Sequence, residues 1–275
     1  MNKISNRPNA KFLVFTSAGD ASCLRLWRES GELFDLCVVY YGDNADCYRD
    51  AADYYLERKG SKFSNLHFVW SEFEGFIEKY DAILVLDDDI IMSGVDIDSL
   101  FQIRDEYDLS IAHPSFSSAG KISHSITKVD PFCKLRYTDF VEVGCPLFRR
   151  EVLENFLRVY DPVLVGWGID WWFLHTIKND IHGKVAIVDD VCCINPKDWM
   201  KKGEREIDKL SGTGERKRQW ESIKEKHGIV EHEPRELGRV RKSALASLNQ
   251  ILTLLKIRLV FKLYKFNLIP YEVSS

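Results

Sequence analysis

Three consecutive aspartates, Asp87, Asp88 and Asp89, directly follow the most apolar stretch of the chain, residues 81–86. That stretch predicts a central parallel strand buried on both faces, and ligands of open α/β sheets bind beyond the carboxyl ends of such strands. Residues i and i+2 of an extended segment point the same way, so Asp87 and Asp89 can share one cation while Asp88 faces elsewhere. Carboxylate oxygens suit Mg²⁺ or Mn²⁺ held jointly with a diphosphate. We therefore predict a metal and diphosphate site here, with a solvated acidic turn as the alternative.

A second group of candidates lies in the sequence Gly-Trp-Gly-Ile-Asp at positions 166–170. The glycines allow the backbone to turn and to approach a ligand closely, and Trp167 offers an apolar plate on which a sugar ring can stack. Asp170 begins a predicted helix, where the helix dipole stabilises its charge. Asp170 is therefore either a helix cap or a catalytic base that takes a proton from an acceptor hydroxyl.

Glu142 and His124 are two further candidates. Glu142 interrupts the otherwise apolar segment 140–148, and a buried carboxylate needs a partner. We predict a catalytic role for it, unless it simply faces outward from a strand. His124 lies in a polar loop, where it either binds a phosphate or the acceptor or is an ordinary surface histidine.

Alternating strand and helix patterns over residues 11–195 position these candidates. The alternation predicts an α/β fold, in which helices flank a mainly parallel central sheet. Short apolar runs predict strands at 11–16, 34–41, 65–70, 81–86, 109–112, 141–148 and 185–189. Amphipathic spacing predicts helices at 21–31, 48–59, 72–79, 97–107, 151–160 and 170–178.

The composition is that of a globular protein with a full core: 275 residues, 45% hydrophobic and 12% aromatic. These values exclude wholesale disorder, and the length excludes a small scaffold held by disulfides. The seven cysteines include no CxxC pair, which favours free thiols in a reducing compartment. Residues 1–11 lack the apolar core of a secretory signal, and no uninterrupted apolar stretch reaches the length of a bilayer-spanning helix. We therefore expect a cytoplasmic protein.

Residues 81–91 resemble the DxD element of nucleotide-sugar glycosyltransferases with the GT-A fold. Further segments follow in the order seen in a widespread GT-A-related family long catalogued as a domain of unknown function, and the resemblance covers residues 11–197. These segments are 80–89, 123–127, 140–148, 166–170 and 184–189. The resemblance implies a GT-A-like sheet, transfer of a sugar from a nucleotide-sugar donor, and a divalent metal on the DxD element.

The resemblance also suggests roles for individual residues. The ends of the first two strands hold the nucleoside in GT-A folds, which makes Ser17, Asp20 and Asp43 donor-binding candidates, with Asp88 beside them. The Gly/Trp-rich acceptor motifs of these enzymes favour acceptor binding at positions 166–170. The family's last strand usually closes with a histidine, and many GT-A enzymes use a histidine near there as a metal ligand. Here Asn195 stands in that region, so the third ligand would be an amide oxygen.

The sequence thus predicts a metal-dependent glycosyltransferase. Its acceptor would be a glycan or a lipid-linked molecule, as in the synthesis of cell-surface polysaccharide or lipopolysaccharide. Two alternatives remain. The same acidic cluster could serve a nucleotidyl- or phosphotransferase, and the replacement of the family's histidine leaves open a non-catalytic sugar-nucleotide-binding protein.

The C-terminal segment has a different character from the rest of the chain. We divide the chain into a catalytic domain at 1–196, a charged flap or helical extension at 197–234 and a basic amphipathic tail at 235–275. The tail carries eight Lys and Arg residues against two acids, whereas the whole chain has a net charge of −4. Apolar residues recur at helical spacing, at positions 245, 248, 252, 255, 259, 263 and 266. This pattern predicts a helix that lies on the anionic inner face of a membrane, with packing on the protein itself or a dimer contact as alternatives. An acidic body and an apolar tail argue against nucleic acid as a partner.

Overall fold

The computed structural model describes residues 1–5, 7–30, 33–178, 184–197 and 210–265. The strands within these residues are β1 (Phe12–Ala18), β2 (Phe34–Tyr40), β3 (Tyr54–Glu57), β4 (Ala82–Val85), β5 (Ile111–Phe116), β6 (Cys133–Thr138), β7 (Leu147–Arg149), β8 (Val185–Cys193) and β9 (Glu236–Arg241). They form one sheet in the order β3-β2-β1-β4-β7-β5-β8-β6-β9. The α/β class predicted from the sequence is confirmed.

The sheet is mixed, so the prediction of a mainly parallel sheet is wrong. β1 runs parallel to β2 and β4, and β5 runs parallel to β8. β7 is antiparallel to both of its neighbours, β4 and β5, and β6 is antiparallel to β8 and β9. An apolar run does not reveal the direction of a buried strand. Because β7 runs against β4, the residues that precede β7 lie beside the carboxyl end of β4.

Helices cover both faces of the sheet. They are α1 (Leu24–Arg28), α2 (Lys62–Glu72), α3 (Gly94–Glu106), α4 (Arg150–Leu157), α5 (Ile169–Thr176), α6 (Thr213–His227) and α7 (Ala244–Lys265). Successive residues of β1 show the two layers, because Leu13 and Phe15 pack into one core while Phe12 and Val14 pack into the other. Single-turn 3-10 helices occur at Ile77–Lys79 and Ser125–Thr127.

Two predicted elements are exchanged in type. Residues 65–70, predicted as a strand, lie in α2, whose Phe63, Leu66 and Val69 are buried at helical spacing. The Ser61 side chain begins this helix by accepting a hydrogen bond from the Ser64 backbone N–H at 3.4 Å. Residues 48–59, predicted as a helix, contain β3. A run of six residues such as 65–70 is too short for its period to separate helix from strand, and the four residues of β3 lie within a segment that also has helical spacing.

The C-terminal part of the chain contributes to the sheet before it forms a helix. β9 pairs with β6 along one edge, and α7 follows it. Within the described residues, Ala244–Lys262 is long and apolar enough to cross a membrane, with a mean hydropathy of 1.4. Residues 198–209 of the predicted flap and residues 266–275 of the predicted tail lie outside the described part of the chain.

Candidate functional site

The acidic triad begins where β4 ends. The Asp87 backbone N–H donates to the carbonyl oxygen of Gly144 at 2.8 Å, which joins the triad to the segment that leads into β7. The Asp87 side chain is 45% exposed, and its Oδ1 lies 2.7 Å from the ammonium of Lys62 in the first turn of α2. Asp87 is therefore exposed at the carboxyl end of β4, beside the ammonium of Lys62. The sequence analysis did not identify Lys62.

Lys62 sits in a nest of oxygen atoms. Its Nζ donates to the backbone carbonyl oxygens of Val143 at 2.7 Å, Gly144 at 3.0 Å and Val85 at 3.2 Å. Only 10% of its side chain is exposed. These carbonyls, together with Asp87, compensate for the loss of water around a buried ammonium. Lys62 thus ties α2 to β4 and to the segment before β7.

Asp88 lies in a turn that the Ile90 N–H closes by donating to the Asp87 carbonyl oxygen at 3.2 Å, so the triad is not the extended segment that the sequence analysis assumed. The Oδ2 of Asp88 accepts a hydrogen bond from the Gly19 backbone N–H at 2.8 Å, in the turn after β1. Its backbone carbonyl accepts from the Cys23 N–H at 2.7 Å and the Ser22 hydroxyl at 3.0 Å. Burial, together with the charges of Asp89 and Asp87, raises the pKa of Asp88 to about 7. Asp88 therefore fixes the turn after β1 against the triad.

Asn195 enters the same region through a two-residue bridge. Ile91 and Ile194 exchange backbone hydrogen bonds of 3.0 Å, so the segment after β8 runs beside the segment after the triad. Among the described residues, no group of three or more His, Cys, Asp or Glu side chains is already arranged around a metal position. The donor types of Asp87, Asp89 and Asn195 are all oxygens, which fit Mg²⁺ or Mn²⁺, and Asp87 is open to solvent. Metal binding here stays a prediction.

The predicted donor-binding residues lie at the ends of β1 and β2. Ser17 is buried, and its hydroxyl accepts a hydrogen bond from the Asn65 side-chain amide at 2.9 Å. Asp20 accepts from the Tyr40 hydroxyl and, more weakly, from the backbone N–H groups of Asp43 and Asn44 at 3.4 and 3.3 Å. The Tyr40 hydrogen bond lowers the pKa of Asp20. Asp20 thus holds the two turns together.

Asp43 differs from Asp20 in its surroundings. It forms an exposed ion pair with Lys59, at 2.8 Å from Oδ1 to Nζ. An exposed pair of this kind adds little to stability. The Asp43 carboxylate is therefore exposed in the turn after β2. Donor binding by Asp43 remains a prediction.

Glu142 is buried, which excludes the alternative that it faces outward from a strand. Its Oε1 accepts hydrogen bonds from the His124 backbone N–H and from the Thr127 hydroxyl, both at 3.1 Å. The His124 ring lies 4.5 Å from the ring of Phe140. Glu142 therefore holds the loop that carries His124, and the structure brings these two predicted site residues together.

Asp170 lies in the first turn of α5, and it is partly buried. Its Oδ1 accepts from the Trp171 backbone N–H at 2.9 Å. Burial raises the pKa of Asp170 to about 7, and the negative charges of Glu142 and Glu231 act in the same direction. Gly168, and not Asp170, is the N-cap of α5, and the raised pKa of Asp170 suits a general base at neutral pH.

The glycine-rich turn before α5 is covered by α6. Gly168 has φ +86°, and a Cβ at this position would lie 2.1 Å from the ring of Trp220. The exposed Trp167 ring has the guanidinium of Arg216 at 5.4 Å from its centroid. Trp220 in turn donates from its indole N–H to Glu231. The predicted acceptor motif is therefore in contact with a helix from the charged segment.

A row of aromatic rings runs from the loop of His124 through α5 to the segment after α6. Beyond the His124 and Phe140 pair, Phe140 lies 4.8 Å from Trp171, and Trp171 lies 4.9 Å from His232. Neither Trp171 nor His232 was identified from the sequence. The available signal was the pair of adjacent tryptophans at 171 and 172, because neighbouring positions of a helix point in different directions; Trp172 is buried, whereas Trp171 is only partly buried.

The comparisons with known proteins support the fold alone. No family model matches the chain, and no curated protein shows a significant match. The crystal structure of S. aureus TarS 1–349, a glycosyltransferase, in complex with UDP-GlcNAc aligns with a TM-score of 0.52 and 12% identity, over 71% of this chain and 60% of that chain. The complex of the same protein with UDP aligns with a TM-score of 0.46 and 10% identity, over 68% and 60% of the two chains. The chain thus spans about three fifths of TarS 1–349, and its fold resembles the fold of that protein.

Proposed function

We propose that the protein is a glycosyltransferase that uses a nucleotide-sugar donor. The observation that carries this proposal is the position of the acidic triad at the carboxyl end of β4, where Asp88 is tied to the turn after β1 and Asp87 is joined to the segment of Glu142. The likeness to a fold that has been solved with UDP-GlcNAc supports the proposal. A uridine diphosphate sugar is therefore the donor to test first.

A divalent cation held by Asp87 and Asp89, with Asn195 as the third candidate ligand, would neutralise charge on the donor diphosphate as the sugar leaves. Lys62 holds the Asp87 carboxylate at 2.7 Å and adds a fixed positive charge next to it. Asp88 keeps the turn after β1 in place, where Ser17 and Asp20 lie. In this arrangement the donor site is formed by residues at the carboxyl ends of three strands, β1, β4 and β8.

The acceptor half of the proposed reaction rests on Asp170 and Glu142. Asp170, with its pKa raised to about 7, takes the proton of the acceptor hydroxyl when it is ionised. Glu142 anchors the loop of His124 through two hydrogen bonds. Trp167 and His124 are placed to contact the acceptor, which we propose to be a glycan or a lipid-linked molecule of cell-surface polysaccharide synthesis, used at the cytoplasmic side of a membrane.

One observation favours a different role. Asp87 is paired with Lys62, so one carboxylate of the DxD element is already neutralised by the protein, and an amide replaces the family's histidine at Asn195. These features would be sufficient for a protein that binds a sugar nucleotide without catalysing a reaction. A nucleotidyl- or phosphotransferase remains the other enzyme class that could use the triad.

Calorimetry with UDP, GDP and their sugars, each with Mn²⁺ and with EDTA, tests the donor site. We expect binding that depends on the metal, is lost in Asp89→Ala, and is retained in the matched control Asp161→Asn, an exposed carboxylate outside the site. Equal affinity with and without the metal contradicts the metal role. Incubation with nucleotide sugars and with nucleoside triphosphates then separates the classes. Nucleoside diphosphate released from a nucleotide sugar indicates glycosyl transfer, pyrophosphate released from a nucleoside triphosphate indicates nucleotidyl transfer, and binding without any product indicates a non-catalytic protein.

A further inference from the structure

The helix α7 displays five leucines to solvent along one face. Their exposed fractions lie between 49% and 70%, whereas leucines are usually among the most buried residues of a folded protein. They follow one another at alternating intervals of three and four residues, so that they share one side of the helix. We call this set the leucine face: Leu245, Leu248, Leu252, Leu255 and Leu259.

The opposite side of α7 holds the helix to the body of the protein. Ser247 is buried, and the Gln250 side-chain amide donates to the backbone carbonyl of Asp189 in β8. The ammonium of Lys242, just before the helix, lies 2.6 Å from the Asp190 carboxylate and also donates to Gln250. These contacts fix the first two turns of α7, and they leave the leucine face directed away from the sheet.

The charges around the leucine face are all positive. Lys256 and Lys262 lie on its two sides, each about 60° from its centre at the ~100° per residue of an α-helix. The chain contains no acidic residue between Glu236 and Glu272. In a coiled coil of two copies, these basic side chains would flank the seam without an opposite charge to meet. The combination instead fits a surface that is apolar beneath and negatively charged above, which is an anionic phospholipid membrane.

The anchoring contacts also decide between lying on the membrane and crossing it. The residues that hold α7 to the body, Ser247 and Gln250, fall within the 19-residue stretch that is apolar enough to span. Of the described residues, 251–265 extend beyond these contacts, and at 1.5 Å per residue they cover about 22 Å. A span made of Ala244–Lys262 would have to break the contacts with Asp189 and Asp190.

We propose that α7 lies flat in the interface of an anionic membrane, with the leucine face in the acyl boundary and Lys256, Arg258 and Lys262 near the head groups. The first two turns remain attached to the sheet, so the catalytic body is held next to the membrane surface. This role does not depend on glycosyl transfer, because it rests on the exposure, charge and anchoring of α7.

Sedimentation of the full-length protein with vesicles tests the proposal. We expect binding to vesicles that contain 30% phosphatidylglycerol, weak binding to pure phosphatidylcholine, and release of the bound protein at high salt. The double variant L252Q/L255Q should lose at least about tenfold in vesicle affinity. The vesicle affinity of the variant K256Q/K262Q should fall roughly fivefold for each charge removed. The matched control K217Q/R218Q removes two exposed charges from α6 and should bind as the unchanged protein does.

Several outcomes would overturn the proposal. Dimerisation that disappears in L252Q/L255Q, without vesicle binding by the unchanged protein, assigns the leucine face to a second copy. Bound protein that resists high salt and alkaline extraction indicates a spanning helix. Equal binding to neutral and anionic vesicles removes the role of the basic residues.

The far-ultraviolet circular dichroism and the thermal midpoint of every variant should match those of the unchanged protein, since both substituted sets are exposed. If L252Q/L255Q misfolds, K256Q/K262Q tests the proposal independently.

Discussion

Replacing Asp170 by asparagine separates the charge of this side chain from its shape. The asparagine oxygen can still accept the hydrogen bond that Asp170 receives from the Trp171 N–H at 2.9 Å, whereas the carboxylate charge and the basic site are removed. We expect two opposite effects. Turnover should fall by about 10²- to 10⁴-fold if Asp170 is the base, and the folded protein should become more stable at neutral and alkaline pH.

The size of the stability effect follows from the pKa of Asp170. Burial raises this pKa from 3.8 to about 7 in the folded protein. Because the folded-state pKa lies above the unfolded-state value, the folded protein binds the extra proton between these values, and its stability falls as the pH rises through that window. Each pKa unit corresponds to about 1.4 kcal/mol. Between pH 5 and pH 8 the ionisation of Asp170 therefore costs about 2–3 kcal/mol, which the asparagine variant avoids.

Urea unfolding of both proteins at pH 5, 6, 7 and 8 measures this difference. Asp88 has a raised pKa as well, and it makes the stability of both proteins depend on pH. The quantity to follow is therefore the difference in unfolding free energy between Asp170→Asn and the unchanged protein, in which the contribution of Asp88 cancels. The control Asp161→Asn removes an exposed carboxylate instead, and it shows how much of the difference comes from the loss of one negative charge at the surface.

Two results would refute the reasoning. A difference that stays constant from pH 5 to pH 8 means that Asp170 is not held in an environment that disfavours its charge. Turnover close to that of the unchanged protein means that Asp170 is not the base, and the parallel variant Glu142→Gln then becomes the candidate for loss of the base. If Asp170 is the base, turnover of the unchanged protein should rise with pH through about 7.

Two further predictions concern the packing around the site. Gly168→Ala should destabilise the protein by about 2–4 kcal/mol, because its Cβ would lie 2.1 Å from Trp220 at a φ of +86°; thermal unfolding should show no such loss for Gly214→Ala, whose surroundings are open. Lys62→Met should destabilise the protein by about 2–3 kcal/mol by leaving carbonyl oxygens unsatisfied, and it should tighten Mn²⁺ binding by about tenfold because an ammonium no longer lies beside Asp87. Calorimetry with Mn²⁺ alone would contradict the second prediction if the affinity fell.

Sequence analysis predicted correctly those elements whose hydropathy pattern agrees with their burial in the structure. The run that forms β4 is apolar throughout and ends in three carboxylates, so both the strand and the position of the triad could be predicted. The predicted strand at 65–70 covers only part of the 11 residues of α2, and the predicted helix at 48–59 contains a strand of only 4 residues, β3. In α2 the decisive feature is local, since Ser61 accepts from the Ser64 N–H and begins a helix, and this signal was available.

The partners of the site residues could not be predicted, because they come from distant parts of the chain. Lys62 meets Asp87 across 25 positions of sequence, and Gly19 meets Asp88 across 69. The direction of β7 decides that Gly144 lies against the triad. A single sequence contains no trace of these pairings, since any polar residue at a turn or in the first turn of a helix could have supplied them.

The contacts of α6 bear on where acceptor specificity would arise. The sequence places this helix in a charged segment outside the catalytic domain, yet Trp220 covers Gly168 and Arg216 lies over Trp167. The charge of Glu231, which follows the helix, acts on Asp170. An acceptor bound at the turn of residues 166–168 would therefore also contact α6. If Asp170 is the base, then α6 and the residues after it form one wall of the acceptor site, and exchanging them should change the acceptor used while the donor site at β4 stays intact.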